Sequence, residues 1–89
     1  GVFATVGALQ SRGAIVKVHD PMYSDDELRN FGWEPFHFGD GASAAIVQAD
    51  HAEYREMSPK DIPGVRVLFD GRNVTQPNKW DGVARLTIG

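Results

Sequence analysis

The chain has 89 residues, no cysteine and a net charge of −3 at pH 7. This length holds one modest core, so we predict a single domain over residues 1–89. The lack of cysteine excludes disulfides, thiolate nucleophiles and thiolate metal ligands, and the acidic balance argues against nucleic-acid binding. No apolar run reaches membrane-spanning length, so no membrane partner is predicted.

Apolar residues near the start of the chain recur at helical spacing. The spacing predicts an amphipathic helix over residues 2–12, which Gly13 ends because glycine accepts the left-handed cap position. The opening residues include neither an initiator methionine nor the basic lead-in of a signal peptide. We therefore interpret the start as a cut point in a longer chain.

A short apolar segment follows and ends in an acidic residue. Residues 14–18 predict a buried parallel strand, and Pro21 prevents its continuation. Asp20 at the strand end allows two interpretations. It could contact ribose hydroxyls, as acids do in dinucleotide-binding folds, or it could cap the next turn. The residues themselves slightly favour the cap.

A capping box marks the next helix. Ser24 and Glu27 have the required spacing, and Gly32 closes the helix. Neighbouring acidic residues in this helix do not face one point, so no metal site is predicted. Residues 33–38 are aromatic but contain Pro35, which predicts an edge strand or an extended connection.

The middle of the chain contains a glycine-rich stretch and a polar cluster. Residues 39–43 lack the lysine of a phosphate-binding loop and precede a strand at 44–48, so we predict a turn or a short helix. Asp50, His51 and Glu53 follow that strand. His51 could act as a general base, but no nucleophile accompanies it, so no catalytic residue is predicted. Short helical segments are predicted at 53–57 and 58–61.

The most strand-like run of the chain, residues 65–69, leads into Asp70, Gly71 and Arg72. Gly71 is predicted to adopt a backbone angle that other residues resist. Arg72 carries a planar cationic fork suited to a phosphate or carboxylate, and ligands of open α/β sheets bind beyond the carboxyl ends of strands. The alternative is a surface turn in which Arg72 pairs with Asp70 or Asp81, and these residues alone favour it. Residues 83–88 predict a final strand at the sheet edge.

Several motifs now occur in a recognisable order. They are VKVHDP at 16–21, ADHAEYREM at 49–57, VLFDGRN at 67–73 and a pair of glycines at 82 and 89. Together they resemble the C-terminal, UDP-binding domain of the UDP-glucose/GDP-mannose dehydrogenase family, over nearly the whole chain. The resemblance implies an α/β, Rossmann-like three-layer fold with a mostly parallel sheet, truncated at its N-terminal end.

The same resemblance implies a function for the parent enzyme. Such enzymes bind NAD in an N-terminal domain, carry a catalytic cysteine centrally and hold the nucleotide of a UDP-sugar or GDP-sugar in the C-terminal domain. They oxidise the sugar's primary alcohol to a uronic acid through a thioester. The expected setting is polysaccharide biosynthesis in the cytoplasm, with the remainder of the parent enzyme as a partner.

The resemblance also selects site residues. Arg72 matches the arginine of the family's Asp-x-Arg motif, which contacts the sugar nucleotide, and Asp20 matches a strand-end Asp-Pro. We predict Arg72, Asp70, Gly71 and Asp20 as substrate-binding residues. The family's lysine motif, its cysteine and a dinucleotide fingerprint are not in this sequence. We therefore predict weak nucleotide binding and no bound NAD or metal.

An alternative function comes from the aromatic residues. The chain would then be a non-catalytic α/β module for protein interaction or oligomerisation. Its contacts would come from Trp33, Phe36, Phe38 and Trp80, because aromatic residues dominate binding hot spots. Surfaces that meet the rest of the parent enzyme would then allow homodimers. An intact small enzyme is disfavoured, since nucleophile and cofactor loop are both missing.

Overall fold

The structure, a computed structural model, describes residues 1–88. The chain forms two compact units, unit 1 over Gly1–His37 and unit 2 from Phe38 onwards. Unit 1 contains helix α1 (Val2–Ser11), strand β1 (Lys17–Val18), helix α2 (Asp25–Asn30) and strand β2 (Glu34–Pro35). Unit 2 contains strand β3 (Ala44–Val47), helix α3 (Ala52–Glu56), a 3₁₀ turn (Pro59–Asp61), strand β4 (Val67–Asp70), a second 3₁₀ turn (Pro77–Lys79) and strand β5 (Ala84–Thr87). The single domain stays a prediction.

All strand pairings among the described residues are parallel. In unit 1, β1 pairs with β2, and in unit 2 the order is β3-β4-β5. This confirms the predicted α/β, Rossmann-like class with parallel strands. It also confirms that the final strand lies at a sheet edge. Gly89, the last residue of the terminal glycine pattern, lies outside the described residues.

The predicted capping box opens α2. Ser24 Oγ accepts a hydrogen bond from the Glu27 amide at 3.2 Å, and Glu27 Oε1 accepts one from the Ser24 amide at 2.9 Å. Four aromatic side chains then pack together within unit 1, with ring centroids 4.6–5.9 Å apart. They are Phe3, Tyr23, Phe31 and Trp33.

The strand predicted at 14–18 is wrong in its first three residues. The Ala14 amide donates to the Leu9 carbonyl and closes the end of α1, so it cannot enter a ladder. Ile15 is 96% exposed rather than buried. Only Lys17 and Val18 pair with β2, whose Pro35 lacks an amide donor for further pairing.

The core of unit 2 lies against one face of its sheet. Leu68 on the central strand is fully buried, and Val47 beside it is buried as well. Trp80 also belongs to this core, so the prediction that it faces a partner is wrong. The opposite face carries Ile46 on β3 and Leu86 on β5, and each is in register with Phe69 on the central strand. Ile46 and Leu86 are both exposed.

Among residues 1–88, none of the helices combines the length and apolar character needed to cross a bilayer.

The central strand supplies the first testable prediction. Leu68→Ala should lower the free energy of unfolding by about 2–5 kcal/mol, because it opens a cavity at a fully buried site. Leu86→Ala is the matched control, since Leu86 is 53% exposed on the neighbouring strand. Urea unfolding followed by circular dichroism measures both. Equal losses in the two variants would contradict the assignment of the core face.

Candidate functional site

The candidate site lies at one edge of the unit 2 sheet. Because β3, β4 and β5 are parallel, their carboxyl ends meet at the same edge, and Val47, Asp70 and Thr87 are in register there. Asp70 is the last residue of β4, and Gly71 and Arg72 follow directly. The fold therefore places three of the four predicted site residues where α/β sheets bind ligands.

Asp70 organises the loop that follows it. Its carboxylate is fully buried. Oδ1 accepts a hydrogen bond from the Arg72 amide at 3.1 Å, and Oδ2 accepts from the amide and the hydroxyl of Thr75 at 2.7 and 2.6 Å. These bonds fold residues 71–75 back over the strand end. A direct contact of Asp70 with ligand stays a prediction.

Arg85 fastens the same loop from the neighbouring strand β5. Its Nε donates to Thr75 Oγ1 at 2.9 Å, and its Nη2 donates to the Thr75 carbonyl at 3.1 Å and to Asn73 Oδ1 at 3.2 Å. Nη2 also lies 3.6 Å from Asp70 Oδ2, and the Arg85 side chain is only 16% exposed. The cation beside Asp70 is thus Arg85.

The sequence analysis did not identify Arg85 as a site residue. Only the structure reveals its place: Arg85 is in register with Leu68, which puts it on the inward face of the sheet. A charge at an inward strand position requires a partner in the core. No local sequence pattern identifies Asp70 as that partner, because Arg85 lies 15 residues after Asp70 in the chain.

The environment of Asp70 lowers its pKa. Burial alone would raise the pKa, but the hydrogen bonds from the Thr75 hydroxyl and amide, and from the Arg72 and Val74 amides, outweigh it. The folded state therefore favours the ionised carboxylate.

Gly71 is required for a different reason from the predicted one. It has no positive φ; the residue in the left-handed region of this loop is Asn73, with φ 55°. The Gly71 amide instead donates to the Val47 carbonyl at 2.9 Å, and a Cβ at position 71 would lie 3.0 Å from that same oxygen. Close approach of the β3 backbone is what excludes a side chain here.

Arg72 differs from Arg85 in every respect that matters for binding. Arg72 is exposed to solvent. Within residues 1–88, its guanidinium makes no hydrogen bond or ion pair. It pairs with neither Asp70 nor Asp81, the partners of the surface-turn alternative. Its backbone, however, is held by the bond to Asp70. The loop therefore presents a solvated cation on a fixed main chain.

The carboxyl end of β3 carries a second polar cluster. Both Asp50 carboxylate oxygens accept from Arg55 Nη2, at 2.8 and 2.9 Å. Gln76 donates to the Arg55 carbonyl at 2.6 Å, and the His51 ring packs edge-on against Tyr54. His51 thus packs on a side chain of α3, the helix that follows it.

Asp20 lies in unit 1 and caps a turn. Its Oδ1 accepts from the Met22 amide at 2.9 Å, and its carbonyl accepts from the Tyr23 amide at 3.2 Å. This is the capping alternative, and a ligand contact of Asp20 stays a prediction. The sequence analysis also missed a polar contact in unit 1, in which His37 Nε2 lies 2.9 Å from Asp25 Oδ2. No group of three potential metal ligands occurs within residues 1–88.

The glycine-rich stretch at 39–43 is an irregular connection, with a turn at Gly39 and a bend at Ser43, and does not fit a dinucleotide. Its Gly39 amide donates to the Asp61 carbonyl at 2.7 Å and its Ala42 amide to the Pro63 carbonyl at 3.2 Å. A phosphate cradle needs such amides to point at the ligand. The NAD that the resemblance implies therefore has no cradle in this loop.

A parallel α/β sheet with an exposed arginine beyond its central strand is typical of nucleotide-binding domains. The family model described as "UDP-glucose/GDP-mannose dehydrogenase family, UDP binding domain" matches residues 1–77. The chain belongs to this family, which confirms the resemblance seen in the sequence. Neither the comparison with curated proteins nor the comparison with solved structures gives a match.

Acid should destabilise the fold through Asp70. Because the folded pKa is lowered from 3.8, the ionised carboxylate contributes fully above that value, and the contribution is lost as pH falls through the lowered pKa. Thr75→Val removes the hydroxyl donor and should make this acid dependence shallower. Urea unfolding at a series of pH values measures it, with the exposed Thr87→Val as control. Identical acid profiles for Thr75→Val and the native chain would refute the assignment.

Gly71→Ala should destabilise the fold by about 1–3 kcal/mol, the usual range for overpacking, because the added methyl group would displace the Val47 carbonyl. Gly7→Ala in α1 is the control, since a Cβ there meets no atom within 4 Å. The control should be neutral or stabilising, as alanine favours a helix. Thermal unfolding compares the two, and a neutral Gly71→Ala would show that β3 does not approach this closely.

Proposed function

We propose that this chain binds the nucleotide part of a UDP-sugar or GDP-sugar at the carboxyl edge of β3, β4 and β5. The observation that carries the proposal is the exposed, unpaired guanidinium of Arg72 on a loop whose main chain is fixed by Asp70. A guanidinium donates two parallel hydrogen bonds to a phosphate, and a fixed loop loses little entropy on binding.

In this proposal, Asp70 and Gly71 contribute to the site by fixing the conformation of the loop that carries Arg72. A buried carboxylate that already accepts hydrogen bonds from Arg72 and Thr75 is poorly suited to meet an anionic diphosphate. Its ionised state instead holds the Arg72 amide. Gly71 allows the chain to pass close to β3 before it reaches Arg72.

The parent enzyme, in this proposal, is an NAD-dependent dehydrogenase that oxidises the primary alcohol of the sugar to a uronic acid. The family match supports it through the sugar nucleotide that such a domain holds. These 89 residues contain no cysteine, so the thioester step would need a cysteine from elsewhere in the enzyme. NAD would likewise bind another part of the parent.

The affinity of the isolated chain should be low. One charge-assisted hydrogen bond contributes about 1.5–3 kcal/mol, whereas a millimolar Kd already needs about 4 kcal/mol. Arg72 alone therefore supports binding no tighter than millimolar. A micromolar Kd for UDP would contradict this part of the proposal.

The second candidate function, an interaction or oligomerisation module, is favoured by one observation. The outward face of the unit 2 sheet presents Ile46, Phe69 and Leu86 in one row across three strands, and the two edge residues are largely exposed. Parallel sheets are normally covered on both faces. This candidate predicts self-association without nucleotide binding.

A nucleotide titration separates the two candidates. UDP and, separately, GDP are added to the ¹⁵N-labelled chain while backbone amide shifts are followed. Shifts should cluster at residues 70–75, and Arg72→Ala should weaken UDP binding about tenfold or more, since it removes a charge-assisted contact. Arg66→Ala is the control, because Arg66 is exposed at the opposite end of β4.

The outcome of that titration is decisive for Arg72. Equal UDP binding by Arg72→Ala and the native chain would refute the proposed contact. The stronger of the two nucleotides would indicate the substrate class of the parent enzyme.

A further inference from the structure

We propose that Arg85 is a positioning residue for nucleotide binding, which holds Arg72 in place by fastening the 71–75 loop to β5. The inference rests on the proposed function, because it takes Arg72 as the ligand contact. Arg85 lies beyond residues 1–77, the part that the family model matches, so that match assigns it no role.

The hydrogen bonds of Arg85 all end on this loop. They reach two oxygens of Thr75 and the side-chain oxygen of Asn73. Thr75 is also the residue whose amide and hydroxyl bind Asp70. The end of the loop, Thr75, is thus bonded both to Asp70 on β4 and to Arg85 on β5. Arg72 lies between Asp70 and Thr75 in the chain.

Arg85 itself is poorly placed to bind the ligand directly. Its side chain is 16% exposed, and the same Nη2 that bonds to Asn73 and Thr75 lies 3.6 Å from Asp70 Oδ2. Recruiting this group to a phosphate would leave a buried carboxylate without its cation. Its effect on binding therefore passes through the position of Arg72.

The planar guanidinium explains why a lysine cannot replace Arg85. Nε and Nη2 donate side by side from one rigid plane and so hold the side chain and the carbonyl of Thr75 together. A lysine ammonium keeps the positive charge near Asp70 but is a single point. Arg85→Lys therefore separates charge neutralisation in the core from positioning of the loop.

The test measures UDP and uridine affinities by amide shifts for Arg85→Lys, Arg72→Ala and the double variant, each first shown to be folded by its amide spectrum. Arg85→Lys should weaken UDP binding about tenfold or more, as loss of the Arg72 contact would, and leave uridine binding unchanged. The double variant should bind UDP no more weakly than Arg72→Ala, because positioning has no effect once Arg72 is gone.

Three results would overturn the inference. The first is native UDP affinity in Arg85→Lys. The second is an equal loss of affinity for UDP and for uridine in that variant. The third is a loss of UDP affinity in the double variant that equals the product of the two single-variant losses. In each of these cases the proposed function stands if Arg72→Ala still weakens UDP binding. An Arg72→Ala variant with native UDP affinity would instead refute the contact of Arg72 in the proposed function, on which this inference rests.

A second variant covers the case in which Arg85→Lys does not fold. Asn73→Gly removes one contact of Arg85 at an exposed position, and glycine accepts the φ of 55° found there. It should weaken UDP binding by a smaller factor and leave uridine binding unchanged. Native UDP affinity in Asn73→Gly would then overturn the inference.

Discussion

The ionised carboxylate of Asp70, buried at the end of the central strand, is the constraint on which the rest of the site depends. A carboxylate that is buried away from solvent needs several hydrogen-bond donors. Each donor to Asp70 also holds part of the site in position. The Arg72 and Thr75 amides bend the loop, and Arg85 ties it to β5. The main chain at Arg72 is thus held in place by the donors that satisfy this one buried charge.

A buried ion pair of this kind is weak evidence for stability. Desolvation offsets much of the attraction, and replacing both partners with apolar residues is often neutral, whereas removing one costs about 3–5 kcal/mol. The Asp70–Arg85 pair is therefore better explained by the loop geometry that it specifies than by the free energy of unfolding. An apolar pair at these positions would fill the core but would leave the Thr75 donors without an acceptor.

The sequence predicted those features whose causes are local. Helical spacing identified α1, the Ser24–Glu27 pair identified the start of α2, and an apolar run identified β4. It failed where the cause lies across space. The need for glycine at position 71, for example, depends on the close approach of the β3 backbone. The position of Arg72 just beyond β4 was predictable, because a strand-end motif carries it, whereas its contact with ligand stays a prediction. The role of Arg85 was not predictable, because its partner Asp70 is distant in the chain.

In the proposed site, two arginines with opposite environments have separate roles. Arg85 is mostly buried and committed to the loop, so its charge is neutralised inside the protein before any ligand arrives. Arg72 is solvated, so its charge remains available, but water also weakens each contact that it makes. A single exposed arginine can therefore orient a diphosphate without binding it tightly. Tight binding requires further donors and exclusion of water, which in the family would come from the rest of the parent enzyme.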